Sequence, residues 1–305
     1  MTKLFGMIRK QDWMMFGIVI SIYIIYNIGA YGNWNKECWL LLLLCLIGVR
    51  KDQTEQSWTR FFMYAIPVMA LFWYFFYSGN GLWYEIANWL FEKNRHMFVW
   101  DQFMVSIPYN DGAWTRIIAF PWLDHVMVWI YNYGFVLSLW ICLIRSFWTK
   151  SLKKMFTYAL SGHVLQFPLI LPFYNLILLR EVWWVKGQPD LLQREFATQN
   201  DLLVSVQNCF PSMHTSISFA MLLLALREKD PIFKYLMVLY CSSIIFSTLY
   251  LQIHWVLDVV GGMIFAFLVV KLADLIIAKI PALLASMRAV PVQKDAVLAA
   301  QKKKA

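Results

Sequence analysis

Residues 254–278 read HWVLDVVGGMIFAFLVVKLADLIIA: a histidine, an aspartate four positions on, a glycine pair, then an apolar run to about Ala278. About 20 apolar residues cross the hydrocarbon core of a bilayer, so the stretch reads as a membrane helix. On a helix His254 and Asp258 share one face, a turn apart, at the end where the helix begins. Runs of the same kind recur along the chain. Spans are expected at about 13–31, 34–49, 61–78, 121–144, 155–179, 211–226, 233–251 and 254–278. The expected fold class is therefore an all-α, polytopic integral membrane helical bundle of about eight spans, because a helix satisfies its own backbone in lipid.

Composition agrees. Of 305 residues 60% are hydrophobic and 15% charged, whereas soluble domains are nearer half apolar and a quarter charged. The net charge of +9 comes from basic residues clustered between the apolar runs. That is the positive-inside pattern, with attraction to anionic headgroups added. No basic stripe interleaves with aromatics on a soluble face, so a nucleic-acid partner is not expected. The five cysteines are scattered and imply neither a disulfide framework nor a zinc site. No cleavage pattern follows the first apolar run, which reads as a retained signal anchor.

Four regions follow from this patterning. Residues 1–78 form N-terminal accessory or oligomerisation spans, and 79–120 is a polar, aromatic-rich interfacial segment. Residues 121–280 form the membrane core that carries the chemistry, and 281–305 is a basic tail whose composition suggests disorder. With the N-terminus in the cytoplasm, Arg50, Lys51, Arg145, Lys150, Lys153, Lys154, Arg227, Lys229 and the tail all fall inside. Both termini are then cytoplasmic, and the chemistry lies on the extracytoplasmic or luminal face.

A second stretch, NCFPSMHTS at 208–216, opens the sixth span on that same face. Two histidines distant in sequence, His214 and His254, can therefore converge. A carboxylate at Asp258 would accept the proton of one His254 nitrogen and leave the other as a nucleophile. His214 could protonate a departing oxygen, and Ser212 with the first N–H groups of the helix could hold an anion. Two competing readings are a metal held by His254 and Asp258 and a transporter with polar residues along its path. The single-face clustering and the lack of a repeat count against the transporter. No metal or other cofactor is expected. Arg180 ends the fifth span, where a phosphate clamp would be useful, with Lys186 and Arg194 nearby; the alternative is a snorkelling arginine. Asp124, His125 and Tyr131 near the outer half of the fourth span could contact a headgroup or simply satisfy one another between helices. His163, mid-span, reads as structural.

The two stretches resemble the second and third signatures of the type 2 phosphatidic acid phosphatase superfamily, P-S-G-H and S-R-x5-H-x3-D. The resemblance covers about 120–280 and implies a core of that fold. It further implies metal-independent phosphoryl transfer to water or an alcohol, with His254 as nucleophile, Asp258 as its support, His214 as general acid and Ser212 on phosphate. Met213 replaces the signature glycine, Thr248 replaces the arginine, and the first signature, K-x6-R-P, is absent before Pro211. The form F-P-S-x-H looks more like the inositol phosphorylceramide synthase branch, which transfers a phospho-headgroup between lipids. A polyprenyl diphosphate or phosphatidate phosphatase is the alternative. The partners implied are a lipid phosphate and the bilayer.

Overall fold

A computed structural model describes residues 10–55, 57–93, 97–207 and 209–302. Four described helices are long and apolar enough to cross a membrane: Trp58–Gly79, Pro121–Trp148, Pro231–Tyr250 and Val256–Lys279. Two shorter apolar helices, Met15–Tyr31 and Met213–Ala225, lie beside them. Large apolar side chains such as Ile22, Tyr23, Tyr74, Leu239 and Leu268 face outward. In water such a surface would be an association hazard, whereas in a bilayer it is the solvated face.

The N-terminal part comprises α1 (Lys10–Tyr31), α2 (Lys36–Leu42), α3 (Val49–Asp52) and α4 (Trp58–Lys93). The expected second span, 34–49, is not one helix. α2 passes into a 3-10 turn at Leu43–Leu46, and Gly48 then turns left-handed at φ +61°. A Cβ on Gly48 would lie 2.0 Å from the Asp230 carboxyl carbon, so glycine is required there. Arg145 takes up carbonyls freed at the break, donating to Cys45 O at 3.3 Å and to Ile47 O at 2.5 Å. Asp52 is drawn into an ionic cluster with Arg145, which is wholly buried; Arg145 donates to Asp52 at 2.6 Å and to Glu228 at 3.2 Å. Lys154 and the Tyr158 hydroxyl also reach Glu228, both at 2.6 Å. Buried charges persist only when paired in this way.

α4 differs from expectation too. It continues through Gly79 to Lys93 rather than ending at the membrane surface. Ala87 and Leu90 bury one face of this extension. The remainder of 79–120 carries α5 (Asp101–Ser106) and a 3-10 turn at Ala113–Arg116. A short strand, β1 (Phe98–Val99), pairs in parallel with β2 (Ile177–Leu178) and ties this segment to the core.

The core proper is α6 (Pro121–Trp148), α7 (Leu152–Ala159), α8 (Gln166–Leu176), α11 (Met213–Ala225), α12 (Pro231–Tyr250) and α13 (Val256–Lys302), with the short α9 (Val182–Val185) and α10 (Gln199–Val206) in the loop before α11. α7 and α8 are joined by a π turn at Leu160–Val164. Gln166 bridges this turn to α11, donating to Ser161 O at 2.8 Å and accepting from the Ser216 hydroxyl at 2.7 Å. α13 stays helical to Lys302, through the segment whose composition suggests disorder; its alanines and leucines are strong helix formers. One apolar cluster runs from Ile24 and Phe61 through Leu137 and Met221 to Val270, so the N-terminal helices share the core's interior.

Candidate active site

α11 and α13 begin at the same end of the bundle and pack closely there. A Cβ on Gly262 would lie 2.7 Å from Ser212 O, and one on Gly261 would meet the Phe210 ring at 2.7 Å. The glycine pair thus brings His254 and His214 together across two helices. Their ring centroids are 6.1 Å apart.

His254 is held from several directions. Its backbone N–H donates to Thr248 O at 3.2 Å. The next turn is anchored by Asn110, whose carbonyl accepts from Val256 N at 2.8 Å and whose side chain accepts from Leu257 N at 2.9 Å. Asn110 thereby caps α13 from the segment read as merely interfacial. Trp255 donates its indole N–H to Arg180 O at 2.9 Å. His254 Nδ1 lies 2.6 Å from Asp258 Oδ2, with His254 5% and Asp258 0% exposed. A carboxylate at that distance makes Nδ1 the protonated nitrogen and leaves Nε2 with its lone pair.

His214 stacks on Tyr131, centroids 4.3 Å apart, and meets Phe135 edge-on at 4.4 Å. Ser212 is the N-cap of α11; its hydroxyl accepts from Thr215 N at 3.3 Å. The helix's first N–H groups, at Met213 and His214, point outward at the positive end of its dipole.

A cavity of about 550 Å³ opens over these groups and is lined by His214, His254, Tyr131, Glu181, Arg194 and Gln207, among others. Arg194 donates to both oxygens of Glu181, at 3.0 Å from Nη1 and more closely from Nη2, and to Asp190 at 2.7 Å from Nε. Burial alone would lower its pKa; the bonds to Glu181 and Asp190 outweigh that and hold it above its ordinary value. Three of its five N–H groups are so engaged, which leaves two to donate elsewhere. Gln207 is 7% exposed, and its Nε2 has no partner among the described residues.

His214, His254, Asp258, Ser212 and Tyr131 are therefore gathered at one place. Arg180, Asp124 and His125 are not among the groups lining the cavity. Arg180 pairs instead with Asp101, to which its backbone N–H and guanidinium both donate at 2.9 Å. Asp124 accepts from the Tyr250 hydroxyl at 2.7 Å and pairs with Arg116 at 3.1 Å. His125 Nδ1 bonds Pro121 O at 2.6 Å on the exposed side of α6. Thr248 fills the position of the signature arginine as a helix-internal residue, its hydroxyl donating to Ile245 O at 2.7 Å. Glu181, Gln207 and Asn110 carried no signal in the sequence, and Arg194 was one basic residue among several in a loop.

The residues also permit a metal reading. Cys209, His254 and Asp258 have ligand atoms within 4.8 Å of one another. Burial, then Glu181 and Asp258, push the Cys209 thiol up, so it resists becoming the thiolate a metal prefers. A metal would also have to replace the proton between His254 and Asp258.

Residues 139–280 match the family model of the PAP2 superfamily. The match takes in α7, α8, α11, α12 and the membrane part of α13, and hence both histidines and Asp258. No curated protein and no solved structure matches the chain.

Proposed function

We propose, from the PAP2 match over the histidine-bearing helices, that this chain is a membrane phosphotransferase or phosphatase acting on a lipid phosphate. The observation that carries the reading is the His254–Asp258 contact of 2.6 Å beside His214, in one cavity at the head of two closely packed helices. His254 Nε2 attacks phosphorus; the bond from phosphorus to the leaving oxygen breaks, and His214 delivers the proton that oxygen takes away. Asp258 stabilises the imidazolium that the attack creates. The phosphohistidine is then attacked by an acceptor oxygen, whose proton passes to His214 as the phosphorus–nitrogen bond breaks.

Phosphate oxygens are held by the first N–H groups of α11, by the two uncommitted N–H groups of Arg194 and by the Gln207 amide. Arg194 takes the part of the cation absent at Thr248. The acceptor is an alcohol in the reading we favour, in the manner of the inositol phosphorylceramide synthase branch, because the F-P-S-M-H stretch has that branch's form. With water as acceptor the same groups make a polyprenyl diphosphate or phosphatidate phosphatase. The topology we assign has eight crossings, the broken 34–49 segment and the short α11 included, with the cavity on the extracytoplasmic face and both termini inside. The basic residues at the opposite end support that orientation.

The deciding experiment incubates the purified protein with headgroup-labelled lipid phosphates and separates the products. Free phosphate identifies a phosphatase and a new phospholipid a transferase. His254→Ala should lower either turnover at least about a thousandfold, and retention of turnover in a folded His254→Ala protein overturns the reading. Loss of wild-type activity on chelation would favour the Cys209-containing metal site instead.

A further inference from the structure

A second cavity, of about 350 Å³, lies on the other side of the His214 ring. It shares Asn132, Met213 and His214 with the polar cavity, so the two meet at the histidine. Its remaining wall is almost wholly apolar: Ile28 and Trp34 from the N-terminal part, Phe76 of α4, Val136 of α6 and Ile217 of α11. His163 joins that wall from the π turn, its ring held by Phe72, Phe76 and Phe167 at 5.6, 5.3 and 4.6 Å. The π turn itself is wedged between α6 and α11, since a Cβ on Gly162 would lie 2.5 Å from Leu139 and 3.0 Å from Met221. Such turns gather at functional sites.

We propose that this chamber holds a hydrocarbon chain of the lipid whose phosphate occupies the His254 cavity, an inference that rests on the phosphoryl-transfer reading. A volume of this size is in the range of small-molecule sites, and an apolar wall with a few polar groups at one end is their usual make-up. The polar end here is the catalytic histidine itself. The chamber is closed by α1 and the turn after it, which lie outside the 139–280 match, so the N-terminal helices set which chain is accepted. The bilayer is as apolar as the chamber, so the chain gains packing and fixed orientation rather than burial. What the chamber supplies is therefore alignment of the phosphorus against His254.

The test uses the full chain in detergent with a phosphatidate carrying a diazirine at the end of one chain. Light should attach it to peptides containing Ile28–Trp34 and Val136, in the wild type and equally in His254→Ala. Val136→Trp and Ile28→Phe, each checked for folding by thermal unfolding, should remove that label. Each should also lower the ratio of kcat/KM for dioleoyl over dioctanoyl phosphatidate by about tenfold, the chain being displaced. Label confined to outward residues such as Tyr23 and Leu239, or unaltered in both filled variants, overturns the chamber. Failure of the wild type to turn over any lipid phosphate, with the label still in the chamber, overturns the catalytic reading and leaves the binding site standing.

Discussion

Asp258 acts through one atom pair. Its Oδ2 lies 2.6 Å from His254 Nδ1, and its Oδ1 has no partner among the described residues. Asp258→Asn keeps the shape but presents either a wrong donor or a weaker acceptor to the imidazole. Turnover should fall by about a thousand- to ten-thousandfold with KM little changed, as measured by steady-state assay of a folded variant. The two arginines separate more sharply. Arg194→Lys removes the planar fork that meets Glu181 and faces the cavity, so kcat/KM should fall at least about tenfold while the thermal midpoint changes little. Arg180→Lys should leave kcat/KM within about twofold, because Arg180 serves Asp101. The reverse result would return the phosphate clamp to Arg180. From sequence, both were basic residues of one polar loop, and nothing in their spacing distinguishes them.

α13 packs on α11 backbone to backbone. Gly262 opposes a backbone carbonyl, Ser212 O, which cannot rotate away as a side chain can. Gly262→Val should therefore part the two helix heads and abolish turnover, with the protein still inserted in the membrane, as an activity assay on extracted protein would show. The glycine pair was visible in the sequence next to Asp258, but its opposing residue was not, since that residue belongs to another helix. Asn110 is the complementary case. It lies 147 residues from Leu257 and caps its N–H. Asn110→Ala should cost about 1 kcal/mol, seen as a lowered thermal midpoint.

The two ends of the molecule are held by different forces. One carries the cavity; the other carries the buried Asp52, Arg145 and Glu228, with the half-buried Lys154 beside them. Burial acts to raise the Asp52 pKa, but the Lys229 backbone N–H, Lys154 and Arg145 outweigh it and hold the carboxyl at about 2, below its ordinary 3.8. A lowered folded value means stabilisation that is fully present above about 3.8 and is lost as pH falls through about 2. Thermal unfolding in detergent should show that loss between those values, and Asp52→Asn should flatten it. Arg145→Met leaves two buried carboxylates with Lys154 as their shared cation and should cost about 3–5 kcal/mol. A variant as stable as the wild type would mean that the cluster is ornamental.

Periodicity and composition were enough for the membrane bundle, the approximate runs of α1, α4, α6, α12 and α13, and the His254–Asp258 pair. These depend on local facts: apolar length against bilayer thickness, and a spacing of four on a helix. The break within 34–49, the extension of α4 to Lys93 and the pairing of Arg180 with Asp101 depend on partners far along the chain. Arg145 meets Asp52 from 93 positions away, and Arg180 meets Asp101 from 79 away. A charge in lipid or protein interior goes where its counter-charge is, and that position exists only once the helices have packed.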